Sequence, residues 1–102
     1  MYTIGYDLGR SSIKVALVEI ASGKSLSVLS EPGKEMSMLS LQKGWAEQDP
    51  DNWWVHLCNA TKEILKETKV DPGKITGVGI SYQMHGLVLV DKKGVPLRKS
   101  II

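Results

Sequence analysis

Three observations predict an α/β fold for this chain. Short β-patterned segments at the N-terminus are separated only by tight turns, an amphipathic helix with a strong start signal follows, and another β-patterned segment comes directly after the helix.

Tyr2 to Asp7 alternates Tyr2, Ile4 and Tyr6 with Thr3, Gly5 and Asp7, which is the period of a strand. Ile13 to Ile20 is almost continuously apolar and rich in branched side chains, so it reads as a strand buried on both faces. Leu8 to Ser12, with Gly9 and two serines, is short enough to join the two as a hairpin. A second turn, Ala21 to Lys24, centres on Gly23, and Leu26, Val28 and the neighbouring serines alternate as a third strand. The three make an antiparallel meander. Glu31 to Gly44 carries Pro32, Gly33 and Gly44 without a clear period and reads as a long loop, a class that is usually functional.

Asp49 can cap a helix whose first position is Pro50, with Asp51 adding favourable charge to the first turn. Trp54, Leu57, Cys58, Thr61, Ile64, Leu65 and Thr68 then recur at three- and four-residue spacing, and Lys62, Glu63, Lys66 and Glu67 take the opposite side. Of the adjacent Trp53 and Trp54, one is expected to pack inward and one to sit near the rim. Asp71, Pro72 and Gly73 end the helix. Ile75 to Tyr82 reads as a strand returning beside the first through a right-handed crossover. Leu87 to Val90 and Val95 to Leu97 flank Asp91 to Gly94 as a further hairpin. The order strand, strand, strand, helix, strand is that of the opening half of a ribonuclease-H-like fold, the scaffold of actin-type and hexokinase-type ATPases.

Composition narrows the function classes. The 102 residues allow one modest core, and 42% hydrophobic with 24% charged residues is the balance of a soluble globular chain. Thirteen basic residues against eleven acidic leave a net charge of +2, and the basic ones are scattered, so no nucleic-acid footprint is expected. The one cysteine, Cys58, cannot form an internal disulfide and is expected to be reduced and buried. There is no signal-peptide pattern and no run approaching the roughly 20 apolar residues of a membrane span, which points to the cytoplasm and away from a membrane.

Chemistry concentrates in three short segments. Asp7 ends the first strand and Gly9 opens the turn, so a carboxylate and free backbone N–H groups converge. Ser11 and Ser12 can add hydroxyls and Lys14 a positive charge, a donor set suited to a metal-bound phosphate. Asp and Gly are equally at home in a hairpin turn for backbone reasons alone. Gln83-Met84-His85-Gly86 lies where one strand ends and another begins, and His85 can donate and accept hydrogen bonds as a polyol requires, or serve as a structural histidine. In Gly44-Trp45-Ala46-Glu47-Gln48-Asp49-Pro50 the helix start accounts for Asp49 and Pro50. It leaves Trp45, Glu47 and Gln48 unexplained, and an aromatic plane with nearby polar groups can face a sugar.

Together the three segments resemble the FGGY family of carbohydrate kinases over nearly the whole chain. Asp7-Leu8-Gly9-Arg10-Ser11-Ser12-Ile13-Lys14 looks like that family's first phosphate hairpin, Gly44 to Pro50 like its loop before the first helix, and Gln83 to Gly86 like the signature of its xylulose-specific branch. The resemblance implies that residues 1–102 form the N-terminal part of the first of two domains. It implies that Asp7 supports Mg²⁺, that Gly9, Arg10, Ser11, Ser12 and Lys14 handle the phosphates of ATP, and that Gln83, Met84, His85 and Trp45 contact D-xylulose. The catalytic carboxylate and the adenine pocket are expected beyond Ile102. A sheet without its later strands and covering helices is expected to self-associate as a homo-oligomer. A nucleotide-driven switch without a sugar substrate, or an inactive structural module, remains the alternative.

Arg10 departs from the resemblance, because a small residue usually stands there. The long cation either pairs with phosphate or fills space that the phosphates or metal need, and the second is the expectation. Arg10→Ser or Arg10→Thr in the complete enzyme is therefore expected to lower the KM for MgATP, and steady-state kinetics with an unchanged KM and turnover would refute it.

Overall fold

The computed structural model describes residues 1–102. Three strands, β1 (Tyr2–Leu8), β2 (Ile13–Glu19) and β3 (Ser25–Glu31), form the antiparallel meander expected from the alternation and the two short turns. A two-residue strand, β4 (Glu47–Gln48), precedes helix α1 (Pro50–Thr68), and β5 (Ile75–Tyr82) then returns to pair with β1 in parallel. The main sheet has the order β3-β2-β1-β5. A second short strand, β6 (Ser100–Ile101), pairs antiparallel with β4.

Helix α1 begins as its sequence dictates. Asp49 has extended backbone and its carboxylate accepts the Asp51 N–H at 3.0 Å, with Pro50 in the first turn. It ends earlier than expected: Lys69 adopts a left-handed conformation (φ 58°) and its N–H bonds to the Leu65 carbonyl at 2.9 Å. Asp71-Pro72-Gly73 instead opens a separate 3₁₀ turn, in which Asp71 accepts the Gly73 N–H at 2.9 Å.

The helix packs across β2 and β3 on one side of the sheet. Ile4, Val15 and Leu17 meet Ala60 and Ile64 in the core, and the Tyr6 hydroxyl bonds to the Thr61 hydroxyl at 2.6 Å. Burial follows the two-residue period in β2. Ile13, Val15 and Leu17 are buried while Lys14 is exposed and Ala16 and Val18 are half-covered. The expectation of a strand buried on both faces is corrected accordingly, because only one side of β2 has a helix on it.

Other expectations are corrected by the same geometry. Trp54 is 66% exposed, and the inward position belongs to the half-buried Trp53. In β3, Leu26 and Val28 lie on the open side of the sheet, and Ser27, whose hydroxyl donates to Glu67 on the helix at 3.0 Å, faces α1. Cys58 is a free thiol, half-buried rather than buried. The hairpin around Asp91 to Gly94 forms as bridge-level pairing between Val90 and Pro96, with a Leu97 N–H bond to the Leu89 carbonyl at 2.9 Å, and not as two full strands. No helix is long and apolar enough to cross a membrane.

These positions set opposite expectations for two large helix residues. Ile64→Ala, at a side chain with no solvent exposure, is expected to destabilise by about 2–5 kcal/mol. Trp54→Ala is expected to stay within about 0.5 kcal/mol, as surface substitutions do. Midpoints of chemical denaturation on the two variants check the assignment.

Candidate functional site

The parallel pairing of β1 with β5 aligns Leu8 with Tyr82, so both strands end at the same edge of the sheet. The chain after β1 enters the turn Gly9–Ser12, and the chain after β5 enters the turn Gln83–Gly86. The Gln83 N–H donates to the Leu8 carbonyl at 2.9 Å, so the two turns start from adjacent peptides. The carboxyl ends of parallel strands, where neighbouring connections part, are where open α/β sheets hold ligands.

The turn after β1 is bound through its carbonyls. The Arg10 carbonyl accepts from the Gln48 side-chain amide at 2.5 Å, the Ser11 carbonyl from the Met36 N–H at 2.8 Å, and the Ser12 carbonyl from the Gly9 N–H at 3.0 Å. The backbone N–H groups of Arg10, Ser11 and Ser12 have no acceptor within the protein. Three successive donors are thus without partners in the protein, and backbone N–H groups of this kind are free to meet an anion. Arg10 and Ser11 are exposed and Ser12 is half-buried. The Arg10 side chain has no hydrogen bond or ion pair, so the turn closes without help from the guanidinium.

Asp7 and Lys14 face each other across β1 and β2, and Ser81 is the partner of Asp7 on β5. The Ser81 hydroxyl donates to one carboxylate oxygen of Asp7 at 3.1 Å. All three line a shallow groove of about 430 Å³ on the open side of the sheet, floored in part by Gly5 and Gly79. No cluster of three metal-ligating side chains exists in the chain. A single exposed carboxylate nevertheless fits Mg²⁺ that arrives on phosphates, because that ion keeps waters and takes one or two protein carboxylates.

On the other turn, His85 holds a left-handed backbone (φ 63°), an uncommon conformation for a non-glycine residue that is several-fold enriched for His. Met84 is 80% exposed and His85 is exposed as well. Gln83 lies half-buried beside a groove of about 230 Å³ that it lines with Leu8, Trp53, Tyr82, Gly86 and Val88. Its side-chain carbonyl oxygen is buried without a donor. An orphan acceptor of this kind costs about 1–3 kcal/mol until a donor such as a hydroxyl reaches it.

Trp45 is half-exposed and lines a separate cavity of about 320 Å³ with Gly44, Ala46, Glu47, Arg98 and Ile101. That cavity includes none of Gln83, Met84 and His85. What joins the two regions is β6: it pairs with β4, and Ile101 exchanges both backbone hydrogen bonds with Leu87, one residue beyond Gly86. Ser100, fully buried, adds a hydroxyl bond to the Leu87 carbonyl at 3.0 Å.

Of the four residues that organise this end, Glu47 and Gln48 are legible in the sequence only as polar groups able to face a sugar, and Ser81 and Arg98 are not singled out. Glu47, 4% exposed, pairs with Arg98, and Gln48, 2% exposed, holds the turn after β1. Ser81 orients Asp7. The signal for the first two was in the sequence, since the helix cap leaves Glu47 and Gln48 without a purpose. Arg98 and Ser81 carry no local pattern.

Against known proteins, the family model "FGGY family of carbohydrate kinases, N-terminal domain" matches residues 2–102. Among curated relatives, the chain is 37% identical over 101 residues to a xylulose kinase of Bacillus subtilis, covering 99% of this chain and 19% of that protein. It is 35% identical over 101 residues to an L-xylulose/3-keto-L-gulonate kinase of Escherichia coli, covering 99% and 20%. The chain thus spans about a fifth of the length of the curated relatives it matches. Among solved structures, that of a xyloylose kinase from Brucella ovis superimposes with a TM-score of 0.89 at 30% identity, covering all of this chain and 21% of that one.

The turn geometry separates two glycines of the same strand-turn unit. A Cβ on Gly9 would lie 3.0 Å from the Ser12 carbonyl oxygen, whereas a Cβ on Gly5 would meet nothing within 4 Å. Gly9→Ala is expected to open the turn and speed hydrogen exchange at its own amide about tenfold or more, equivalent to about 1.4 kcal/mol. Gly5→Ala is expected to leave that amide unchanged, and exchange measured by NMR on both variants decides it.

Proposed function

The chain belongs to the FGGY family of carbohydrate kinases, as its N-terminal domain, and from that premise we propose that it supplies the phosphate turn and part of the sugar site of an ATP-dependent kinase forming D-xylulose 5-phosphate from D-xylulose. The observation that carries this reading is the row of three unpaired backbone N–H groups at Arg10, Ser11 and Ser12, in a turn that begins beside the start of the turn bearing Met84 and His85. Each turn holds one end of the reaction, phosphate at the first and sugar at the second.

In this reading the turn amides and Lys14 hold ATP phosphates, with the Ser11 and Ser12 hydroxyls as further donors. Asp7, oriented by Ser81, would hold Mg²⁺ directly or through water, and that ion would supply positive charge beside the phosphates. Gln83 offers its orphan oxygen to a sugar hydroxyl. His85 and Met84 contact the same molecule, and Trp45 provides an apolar plane at the rim. The proton of the attacking sugar hydroxyl goes to a base that is assigned to none of these residues. The preference for D-xylulose rests on the Gln83-Met84-His85-Gly86 resemblance together with the names of the relatives, one of which extends to L-xylulose and 3-keto-L-gulonate.

Thermal denaturation of the chain with MgATP, D-xylulose or glycerol tests the reading, since a ligand that binds only the native state raises its stability. MgATP and D-xylulose are each expected to raise Tm, and glycerol at equal concentration to leave it unchanged. A response to nucleotide alone would leave a switch module without a sugar substrate. In the complete enzyme, His85→Ala is expected to raise the KM for D-xylulose about tenfold, as for a lost hydrogen bond in a closed site, with MgATP hydrolysis in the absence of sugar unaltered. A selective loss of nucleotide affinity instead would move His85 out of the sugar site.

A further inference from the structure

We propose that Gln48 is a positioning residue for the phosphate turn, aiming the Ser11 N–H at the bound anion by holding the Arg10 carbonyl from the opposite side. The inference rests on the proposed phosphate role of that turn and names the part of the protein that sets its geometry.

Gln48 is 2% exposed, and both of its polar atoms are engaged: the amide nitrogen donates to the Arg10 carbonyl at 2.5 Å and the amide oxygen accepts from the Trp53 indole N–H at 3.1 Å. Only one orientation of the amide satisfies both, because a carbonyl can only accept and an indole N–H can only donate. A buried amide with both ends committed has a unique position, and displacing it leaves buried groups unpaired.

The next step is the peptide itself. The Arg10–Ser11 peptide is trans and planar, so its N–H points away from its carbonyl. Pinning the carbonyl inward on Gln48 therefore fixes the Ser11 N–H outward, at an exposed residue whose N–H has no partner in the protein. Met36 does the same for the following peptide through the Ser11 carbonyl, but by a backbone N–H within a long loop. Gln48 alone among the carbonyl-side donors is a side chain, so it can be changed without rerouting the chain.

The position of Gln48 explains how one residue reaches the turn. β4 is two residues long, and its alternation sends Glu47 to Arg98 and Gln48 to Arg10. The first residue of α1 follows one position after the cap, so Trp53 closes the other end of the amide from the first turns of the helix. The phosphate turn is thereby referenced to α1 as well as to β1 and β2.

The test uses NMR on this chain with three variants. Gln48→Glu keeps the size of the side chain and an acceptor for Trp53 but replaces the donor facing Arg10 by a second oxygen. Gln48→Met removes both links, and Trp53→Phe removes only the indole link. Without any ligand, the N–H residual dipolar coupling of Ser11 is expected to change in both Gln48 variants and to change less in Trp53→Phe, which keeps the donor to the Arg10 carbonyl. With MgATP, the Ser11 amide of the unmodified chain is expected to shift, and the apparent Kd to rise about 5- to 10-fold in the Gln48 variants, as for one lost hydrogen bond. Unchanged dipolar couplings and Kd in both Gln48 variants would overturn the positioning role. A general loss of dispersion across the spectrum in Gln48→Met with native Ser11 geometry in Gln48→Glu would do so too, since that pattern belongs to a packing residue. An unmodified chain whose residues 10–12 ignore MgATP, with dipolar couplings still moved by Gln48→Glu, would instead remove the phosphate reading and leave the geometric link standing.

Discussion

The parallel pairing of β5 with β1 is the constraint on which the rest of the structure depends. Two parallel neighbours cannot be joined by a tight turn, so the chain between them must cross over, and here the connection carries β2, β3 and β4 before α1 brings it back to β5. The same pairing places Leu8 beside Tyr82 and makes the turns after them emerge together. An antiparallel β5 would send its following turn to the far end of the sheet, and Met84-His85 would then lie a strand's length from Gly9–Ser12. The proximity of the two motif turns is thus a consequence of strand direction and not of any contact between their side chains.

Within that frame the turn after β1 divides its backbone groups into paired carbonyls and unpaired N–H groups. Its carbonyls at Arg10, Ser11 and Ser12 are occupied, each by a donor from a different place: a β4 side chain, the long loop and the turn itself. Its N–H groups at the same residues are left to solvent. In the Arg10–Ser11 and Ser11–Ser12 peptides the carbonyl is occupied and the N–H is free, so each presents the end of its dipole that favours an anion. The exposed Lys14 and the unpaired Arg10 add positive charge in the same neighbourhood. For Arg10 the question is steric rather than electrostatic, since nothing in the fold fixes where its side chain lies.

Much of this was legible in the sequence, and the exceptions share a physical cause. Strand positions, the Asp49 cap and the parallel return of β5 follow from local patterns: two-residue alternation, a capping side chain before Pro50, and the length of the connection. What failed was the choice of face. Apolar periodicity places a stripe on a helix or strand, but which stripe turns inward depends on what lies opposite. Trp53 and Trp54 are adjacent, and Trp53 takes the inner place because the buried Gln48 oxygen offers its indole N–H a partner. In β3, Ser27 faces α1 because Glu67 is there to receive its hydroxyl, and Leu26 with Val28 goes to the open side. The short β4 and β6 have no period at all, being defined only by each other. For the candidate site, the three motifs were visible as segments, while the links that organise them, Gln48 to Arg10 and Ser81 to Asp7, join residues 38 and 74 positions apart.

The location of the core explains why those links matter. Ile4, Val15, Leu17, Ala60 and Ile64 gather where α1 packs on the sheet across β2 and β3, while the turns carrying Gly9–Ser12 and Gln83–Gly86 stand at the carboxyl ends of β1 and β5. β5 itself is poorly covered: Val78 and Ile80 are 63% and 59% exposed although their register partners Ile4 and Tyr6 lie toward the helix. Regions with few buried apolar contacts open at lower free energy than the core, so the site cannot borrow rigidity from hydrophobic packing alone. Buried, fully satisfied polar contacts are the other source of a single geometry, because every displaced state leaves a group unpaired. Gln48 with Trp53 and Arg10, and Ser100 with Leu87, are contacts of that kind, and the buried Glu47 adds an ion pair to the half-exposed Arg98. All three buried polar residues of the chain, Glu47, Gln48 and Ser100, belong to β4 and β6. Their clustering at the site end, beside the buried Ile13 and Met36, makes the small two-stranded sheet a polar link between the helix and the turns.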